Sequence, residues 1–265
     1  MDRVALITGA SRGIGYSFAK SLLRAGYRVA ITGARKAEAL ELALASFAVE
    51  LGEARVMACL GDAASESDAN RAIDSVLGRF GQLDILINNA GRGPRELSES
   101  FHTTPVKFWE AAPEGWDAII QANIMGPFLM ARAAVPHMID RGWGRLIGVS
   151  TSRVTMIREG FAPYGPTKAA LDTMTGIFAK ELAGTGVTAN ILLPGGATDT
   201  DFIPTTGRSG HYLNLLPVEV MDDALLWLVA EVADGVTGAR FVGKLWNPDD
   251  PSAAREDTGA PPLIL

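Results

Sequence analysis

Short apolar runs rich in β-branched residues recur along the chain, at 4–8, 28–32, 54–60, 83–88, 145–150, 187–193 and 239–244. Between them lie longer stretches in which apolar positions return every three or four residues, at 37–51, 66–80, 115–140, 164–183 and 219–232. The first pattern predicts strands and the second amphipathic helices, so the chain reads as a repeated β-α unit. The strand runs are continuously apolar rather than alternating, as expected when helices cover both faces of a parallel sheet. The fold class that follows is α/β: a single-domain, doubly wound parallel sheet over residues 1–246, with ligands expected at the carboxyl ends of its strands.

Two segments break the rhythm. Residues 91–113 and 195–217 are long and rich in Gly, Pro, Ser and Thr, and both follow strands on the side where ligands bind. They are expected to wall or cover a site. Phe108, Trp109, Phe202, Tyr212 and Leu213 within them argue for packing, and the aromatic residues hint at an apolar or aromatic substrate. Residues 247–265 read as a flexible acidic tail that ends in an apolar Leu-Ile-Leu able to dock on a neighbouring subunit.

Composition narrows the function classes. With 265 residues, 48% of them hydrophobic, the chain can bury a large core. Its net charge of −6, with basic residues scattered, gives no footprint for nucleic acid or an anionic membrane. Cys59 is the single cysteine, and His102, His137 and His211 lie far apart, so neither a disulfide nor a metal site is expected. The N-terminal run lacks the length and cleavage pattern of a signal peptide, and a reducing cytoplasm is the expected location.

Candidate chemistry begins at the first strand-to-helix junction, Thr8-Gly-Ala-Ser-Arg-Gly-Ile-Gly15. Glycines at 9, 13 and 15 let backbone approach a pyrophosphate, and the following helix N-terminus offers unpaired N–H groups and positive potential. Ile14, Phe18, Leu22 and Leu23 form the helix's apolar face. The second strand ends in Thr32-Gly-Ala-Arg-Lys36, without the carboxylate that would receive an adenosine ribose. Arg35, with Arg12 from the glycine turn, suits a 2′-phosphate instead, which favours NADP(H) over NAD(H). Further on, Tyr164-Gly-Pro-Thr-Lys168 sets a phenol and an ammonium one helical turn apart. Pro163 and Pro166 are tolerated only at a helix start, which places Tyr164 at its beginning. In a chain with 4 tyrosines that spacing arises by chance too readily to carry chemistry alone.

Taken jointly, the glycine turn at 8–15, Gly61-Asp-Ala63, Asn88-Asn-Ala-Gly91, Asn123 in Asn-Ile-Met-Gly, the serine-rich strand end at 150–152, Tyr164 to Lys168, and Leu193-Pro-Gly195 resemble the short-chain dehydrogenase/reductase family. The resemblance spans about residues 3–245 and implies a Rossmann-type fold. It implies that Gly9, Ser11, Arg12, Gly13, Ile14, Gly15, Arg35, Asp62, Ala63, Asn89, Ala90, Gly91, Pro194 and Gly195 bind the dinucleotide together with Tyr164 and Lys168. The same resemblance makes Tyr164 the general acid/base, with a pKa lowered by Lys168 and by an oxidised nicotinamide. It gives Asn123 a water that links Lys168 to solvent. The family's substrate-binding serine falls here on Thr151, with Ser152 and then Ser150 as alternatives if the register shifts. Two departures stand out: the Pro-Gly-x-x-x-Thr spacing is displaced, leaving Thr198 and Thr200 as alternatives, and Val-Gly-Lys-Leu-Trp-Asn replaces the final Gly-Gly.

The expected activity is hydride transfer between NADP(H) and a small-molecule carbonyl or secondary alcohol. A cofactor-sensing protein and an epimerase or isomerase on the same fold are the alternatives. A homotetramer or homodimer built on helices near 115–140 and 164–183 is expected, with no nucleic-acid or membrane partner.

Overall fold

Seven strands pair in parallel: β1 (Val4–Ile7), β2 (Arg28–Gly33), β3 (Val56–Leu60), β4 (Ile85–Asn88), β5 (Gly144–Val149), β6 (Val187–Leu193) and β7 (Ala239–Val242). An eighth, β8 (Arg255–Asp257), adds antiparallel to β7, giving the order β3-β2-β1-β4-β5-β6-β7-β8. This is a computed structural model, and it describes residues 3–34, 36–204 and 214–257. The sheet is the doubly wound arrangement that the apolar runs predict.

Successive residues of β1 serve opposite layers. Ala5 and Ile7 pack with α1 (Gly13–Arg24), α2 (Ala37–Phe47) and α8 (Asp222–Leu228). Val4 and Leu6 pack with α3 (Glu66–Phe80), α5 (Gly126–Asp140) and the end of α7 (Tyr164–Glu181). All four are fully buried, and each large apolar side chain so buried contributes about 1.5–3 kcal/mol. Burial on both faces is why the runs read as continuously apolar. Local signals set the helix ends: Ser65 caps α3 by accepting a hydrogen bond from the Asp68 N–H at 3.4 Å, and Gly81 ends it with φ of 77°.

Several boundaries move. The strand expected over 54–60 starts at Val56, because residues 53–55 form a 3₁₀ turn. The helix expected over 115–140 starts with α4 (Pro113–Ile120) and passes through a π-turn at Gln121–Met125 into α5. That composite helix is long and apolar enough to cross a membrane by composition, yet Leu129, Met130 and Met138 are buried in the core layer against the sheet. The helix expected over 219–232 shrinks to α8 between two 3₁₀ turns. The largest correction concerns the tail: residues 255–257 are a strand of the sheet. The Leu-Ile-Leu end lies outside the described residues.

Candidate active site

At the carboxyl ends of the strands, two cavities of about 470 and about 650 Å³ adjoin, with Ile14, Asn89, Gly91, Thr200 and Phe202 lining both. The larger one forms around the glycine turn. Thr8, the residue after β1, accepts hydrogen bonds on its hydroxyl from the N–H groups of Asn89 (3.1 Å) and Ala90 (3.0 Å). Asn89 in turn donates its amide to the carbonyls of Thr8 (2.9 Å) and Gly9 (3.1 Å). The turn is thereby fastened to the end of β4. A Cβ at Gly15 would stand 2.5 Å from the Asn89 amide nitrogen and 2.7 Å from the Gly9 carbonyl oxygen, so only glycine fits there. The result is a cradle of bare backbone at the N-terminus of a 12-residue helix, the donor set that a pyrophosphate requires. The residues present therefore fit a dinucleotide.

Of the sequence-predicted binding residues, Gly9, Ser11, Arg12, Gly13, Ile14, Gly15, Asp62, Ala63, Asn89, Ala90 and Gly91 line this cavity. Asp62 is braced there, donating its backbone N–H to Asp68 at 2.8 Å and accepting from the Ala64 N–H at 3.0 Å. Arg35 lies outside the described residues; its neighbour Lys36 lines the cavity. Arg12, which the sequence offers to a 2′-phosphate, pairs here with Asp201 at 3.3 Å. Asp201 comes from the segment after β6, which crosses the mouth of the cleft: Thr200 lies over Gly13 and the Phe202 ring over Gly93. Of the two threonines left open by the displaced spacing, Thr200 lines both cavities, and Thr198, buried and bridged to Leu216, lines the smaller one.

The smaller cavity is lined by Thr151, Tyr164 and Lys168, which the sequence marks as candidate catalytic groups. Helix α7 begins at Tyr164, with Pro163 before it and Pro166 in its first turn, as the sequence predicts. One turn on, Lys168 is buried, with its Nζ 5.8 Å from the Tyr164 ring centre and donating to the Val149 carbonyl at 2.8 Å. Thr151 lines the same cavity as Tyr164, and its hydroxyl acts to lower the phenol's pKa. The two alternatives to Thr151 line the same cavity. Ser152 caps the short helix α6 (Arg153–Met156), accepting from the Thr155 N–H at 3.2 Å. Ser150 is buried beside Asp172, without a hydrogen bond of good geometry.

Electrostatics at this wall run against one expectation. Burial pushes the Tyr164 phenol up to about 12, and the Thr151 hydroxyl only partly opposes it. Burial likewise pulls the Lys168 ammonium down to about 8, opposed by the charge of Asp172. The expected lowering counts an oxidised nicotinamide beside Lys168; among the protein's own groups burial dominates. A single ammonium that points at a carbonyl cannot offset the desolvation of a phenolate.

Asn123, fully buried in the π-turn, accepts from the Arg92 N–H at 2.8 Å and donates to the Arg92 carbonyl and the Thr167 hydroxyl, both at 2.9 Å. Its side chain ties the loop after β4 to the first turn of α7, which accounts for its burial. Pro194 and Gly195 line the smaller cavity. Gly195 has φ of 85°, and a Cβ there would come within 2.6 Å of Val242, which fixes the loop against the end of β7.

The aromatic wall is not the one read from the sequence. Phe108 and Trp109 are 69% and 68% exposed and pack edge-to-face on each other. Phe202 does line the pocket, 5.3 Å from the Tyr164 ring, and Phe161 joins it at 6.3 Å. Buried Phe101 backs both, at 5.7 Å from Phe161 and 6.5 Å from Phe202. Tyr212 and Leu213 lie outside the described residues. Arg158, also unforeseen, lines the pocket with its guanidinium 5.2 Å over the Phe161 ring. Thr8 stood within the glycine motif and was recoverable from its place at a strand end; Phe101 and Arg158 carry no sequence signal of a role.

Over residues 3–208 the chain matches the short chain dehydrogenase family. A short-chain type dehydrogenase/reductase from Picea abies is 36% identical over 205 residues, 76% of this chain and 73% of that protein. Among solved structures, a gluconate 5-dehydrogenase from Burkholderia cenocepacia in complex with NADP and tartrate has 28% identity and a TM-score of 0.77, covering 89% of this chain and 92% of that one. A 3-ketoacyl-(acyl-carrier-protein) reductase from Brucella melitensis complexed with NADH has 29% identity and a TM-score of 0.76, covering 89% and 93%.

Proposed function

Because the chain belongs to the short-chain dehydrogenase/reductase family and is an oxidoreductase that works with a nicotinamide dinucleotide, we propose that it uses NADP(H) to interconvert a carbonyl and a secondary alcohol, with Tyr164 as general acid/base. The observation that carries this reading is the meeting of Thr151, Tyr164 and Lys168 on a wall beside the glycine cradle.

When bound, the nicotinamide supplies or accepts the hydride, and in its oxidised form brings positive charge. The glycine turn, Asp62, Ala63, Asn89, Ala90 and Gly91 hold the dinucleotide, with Pro194, Gly195 and Thr200 at its nicotinamide end. As negative charge gathers on a carbonyl oxygen, Tyr164 gives it a proton while Thr151 donates a hydrogen bond. Lys168, fixed by the Val149 carbonyl, stabilises the phenolate left behind. In the reverse direction the phenolate takes the alcohol's proton. With the phenol at about 12 it is protonated at neutral pH, the state that reduction needs.

NADP(H) rather than NAD(H) is favoured by the absence of a carboxylate at 32–36 and by Lys36 at the cleft. The exposed Arg12 to Asp201 pair is worth at most about 1 kcal/mol. Charge-assisted bonds to a phosphate, about 1.5–3 kcal/mol each, outweigh it. Among the described residues the smaller cavity is lined by Arg158 and Lys168 but by no carboxylate, so a neutral or anionic substrate with an apolar body suits it. Exposed Phe128, Ile139 and Ile177 support a homodimer or homotetramer built on α5 and α7, and a cytoplasmic location completes the reading.

The test is NADPH consumption across a panel of ketones, with Tyr164→Phe as control. General acid/base loss predicts a fall of about 10²–10⁴-fold with cofactor binding kept. Cofactor binding without turnover on any ketone would support a cofactor-sensing protein instead. Fluorescence titration of NADPH against NADH, on the wild type and on Arg35→Ala, tests the cofactor: equal affinity in the wild type overturns the NADP(H) assignment.

A further inference from the structure

Behind the catalytic wall lies a chain of charges that the proposed reaction does not use. Arg240, on β7, is 1% exposed among Leu171, Ile191, Leu193 and Val242. Its guanidinium binds three partners from three elements. Nε donates to Asp172 on α7 at 2.8 Å, Nη1 pairs with Glu256 on β8, and Nη2 donates to the backbone carbonyl of Thr151. Burying a guanidinium carries a desolvation cost of several kcal/mol that an apolar residue would avoid, as Phe241 and Val242 do beside it. A planar fork of N–H donors can bind three acceptors at fixed angles, and an ammonium or an aliphatic chain cannot.

We infer that Arg240 is a positioning residue for this reaction: anchored by Asp172 and by its cross-strand partner Glu256, it holds the Thr151 backbone, and with it the hydroxyl that meets Tyr164. The inference rests on the roles of Thr151 and Tyr164 given above. It also assigns a purpose to the C-terminal strand, which the sequence left as tail: β8 places Glu256 opposite Arg240 in the ladder and closes the rear of the active site. A second consequence passes through Asp172. That carboxylate faces Lys168 on its own helix, with Tyr164 one turn beyond, Arg240 from β7 and Ser150 from the end of β5. Burial raises the Asp172 carboxyl above the ordinary carboxylate range, opposed by Ser150 and then by Arg240, and the charge of the ionised carboxylate supports the Lys168 ammonium.

The experiment compares full-length wild type with Arg240→Met, Arg240→Lys and Glu256→Gln in the ketone-reduction assay, with Thr151→Ala completing a double-mutant cycle. Arg240→Met is expected to lower kcat about tenfold or more while the NADPH Kd stays within about twofold. Arg240→Lys does not restore kcat, which needs the fork. In the Thr151→Ala background Arg240→Met costs little more, since the hydroxyl it positions is gone. Hydrogen exchange across residues 150–155 rises in Arg240→Met and Glu256→Gln, with β1 and β4 unchanged. Unaltered kcat, or losses that multiply independently of Thr151→Ala, would overturn the inference. If Arg240→Met fails to fold, Glu256→Gln carries the test, because that side chain is 40% exposed. If the wild type reduces no ketone, the functional reading falls, and unchanged exchange at 150–155 in either variant then refutes the positioning claim separately.

Discussion

Replacing Lys168 by Met tests the energetics of the active site without any substrate. The ammonium is buried, and its pKa falls from the ordinary 10.5 to about 8. At ~1.4 kcal/mol per factor of ten in the proton equilibrium, that displacement is worth roughly 3 kcal/mol. Between those two values the unfolded chain binds the proton and the folded protein releases it, so this group makes stability rise with pH. Its contribution is complete above 10.5 and is lost as pH falls through about 8. Urea unfolding of wild type and Lys168→Met at about pH 7, 8, 9 and 10 reads the effect directly. The stability of wild type relative to the variant should climb by roughly 2–3 kcal/mol over that range. The Tyr164 phenol, raised to about 12, drives the opposite trend at higher pH, but it is present in both proteins and cancels in the difference. The variant also loses the hydrogen bond to the Val149 carbonyl, a constant offset that leaves the slope untouched. A difference that does not change with pH would refute the argument that burial dominates at Lys168.

Thr151→Val keeps the shape and removes the hydroxyl, so kcat should fall about 10–100-fold, the equivalent of about 1.5–3 kcal/mol for a bond to a developing charge, while Thr151→Ser stays near wild type; equal rates for Val and Ser would exclude the hydroxyl. Gly15→Ala forces a methyl against Asn89 and the Gly9 carbonyl, which should cost about 1–3 kcal/mol in thermal stability and raise the NADPH Kd at least tenfold. Asp201→Ala frees Arg12 from an exposed pair, so stability should change by less than about 1 kcal/mol while NADPH binds more tightly and NADH does not. Titration of both cofactors checks it.

What the sequence by itself determined was whatever depends on neighbours along the chain. Continuously apolar runs such as Ile85–Asn88 can only be strands covered on both sides, and their alternation with helices leaves the doubly wound sheet as the architecture. Pro163 and Pro166 fix where α7 starts, and that start sets Tyr164 and Lys168 on one face. What the tertiary structure alone decided was contact between distant segments. The strand Arg255–Asp257 is short and polar and becomes a strand only because β7 offers it an edge. Phe101 is buried behind the pocket's Phe161 and Phe202 where Phe108 and Trp109 stay exposed, because burial depends on how the loop folds back rather than on its composition. Arg12 has a partner 189 residues away in Asp201. Burial raises the Tyr164 phenol, since its pKa reflects how much water the surrounding segments exclude. Arg240 joins Thr151, Asp172 and Glu256 across three elements, a meeting that no local spacing encodes because hydrogen bonds act through space and sequence patterns only along the chain.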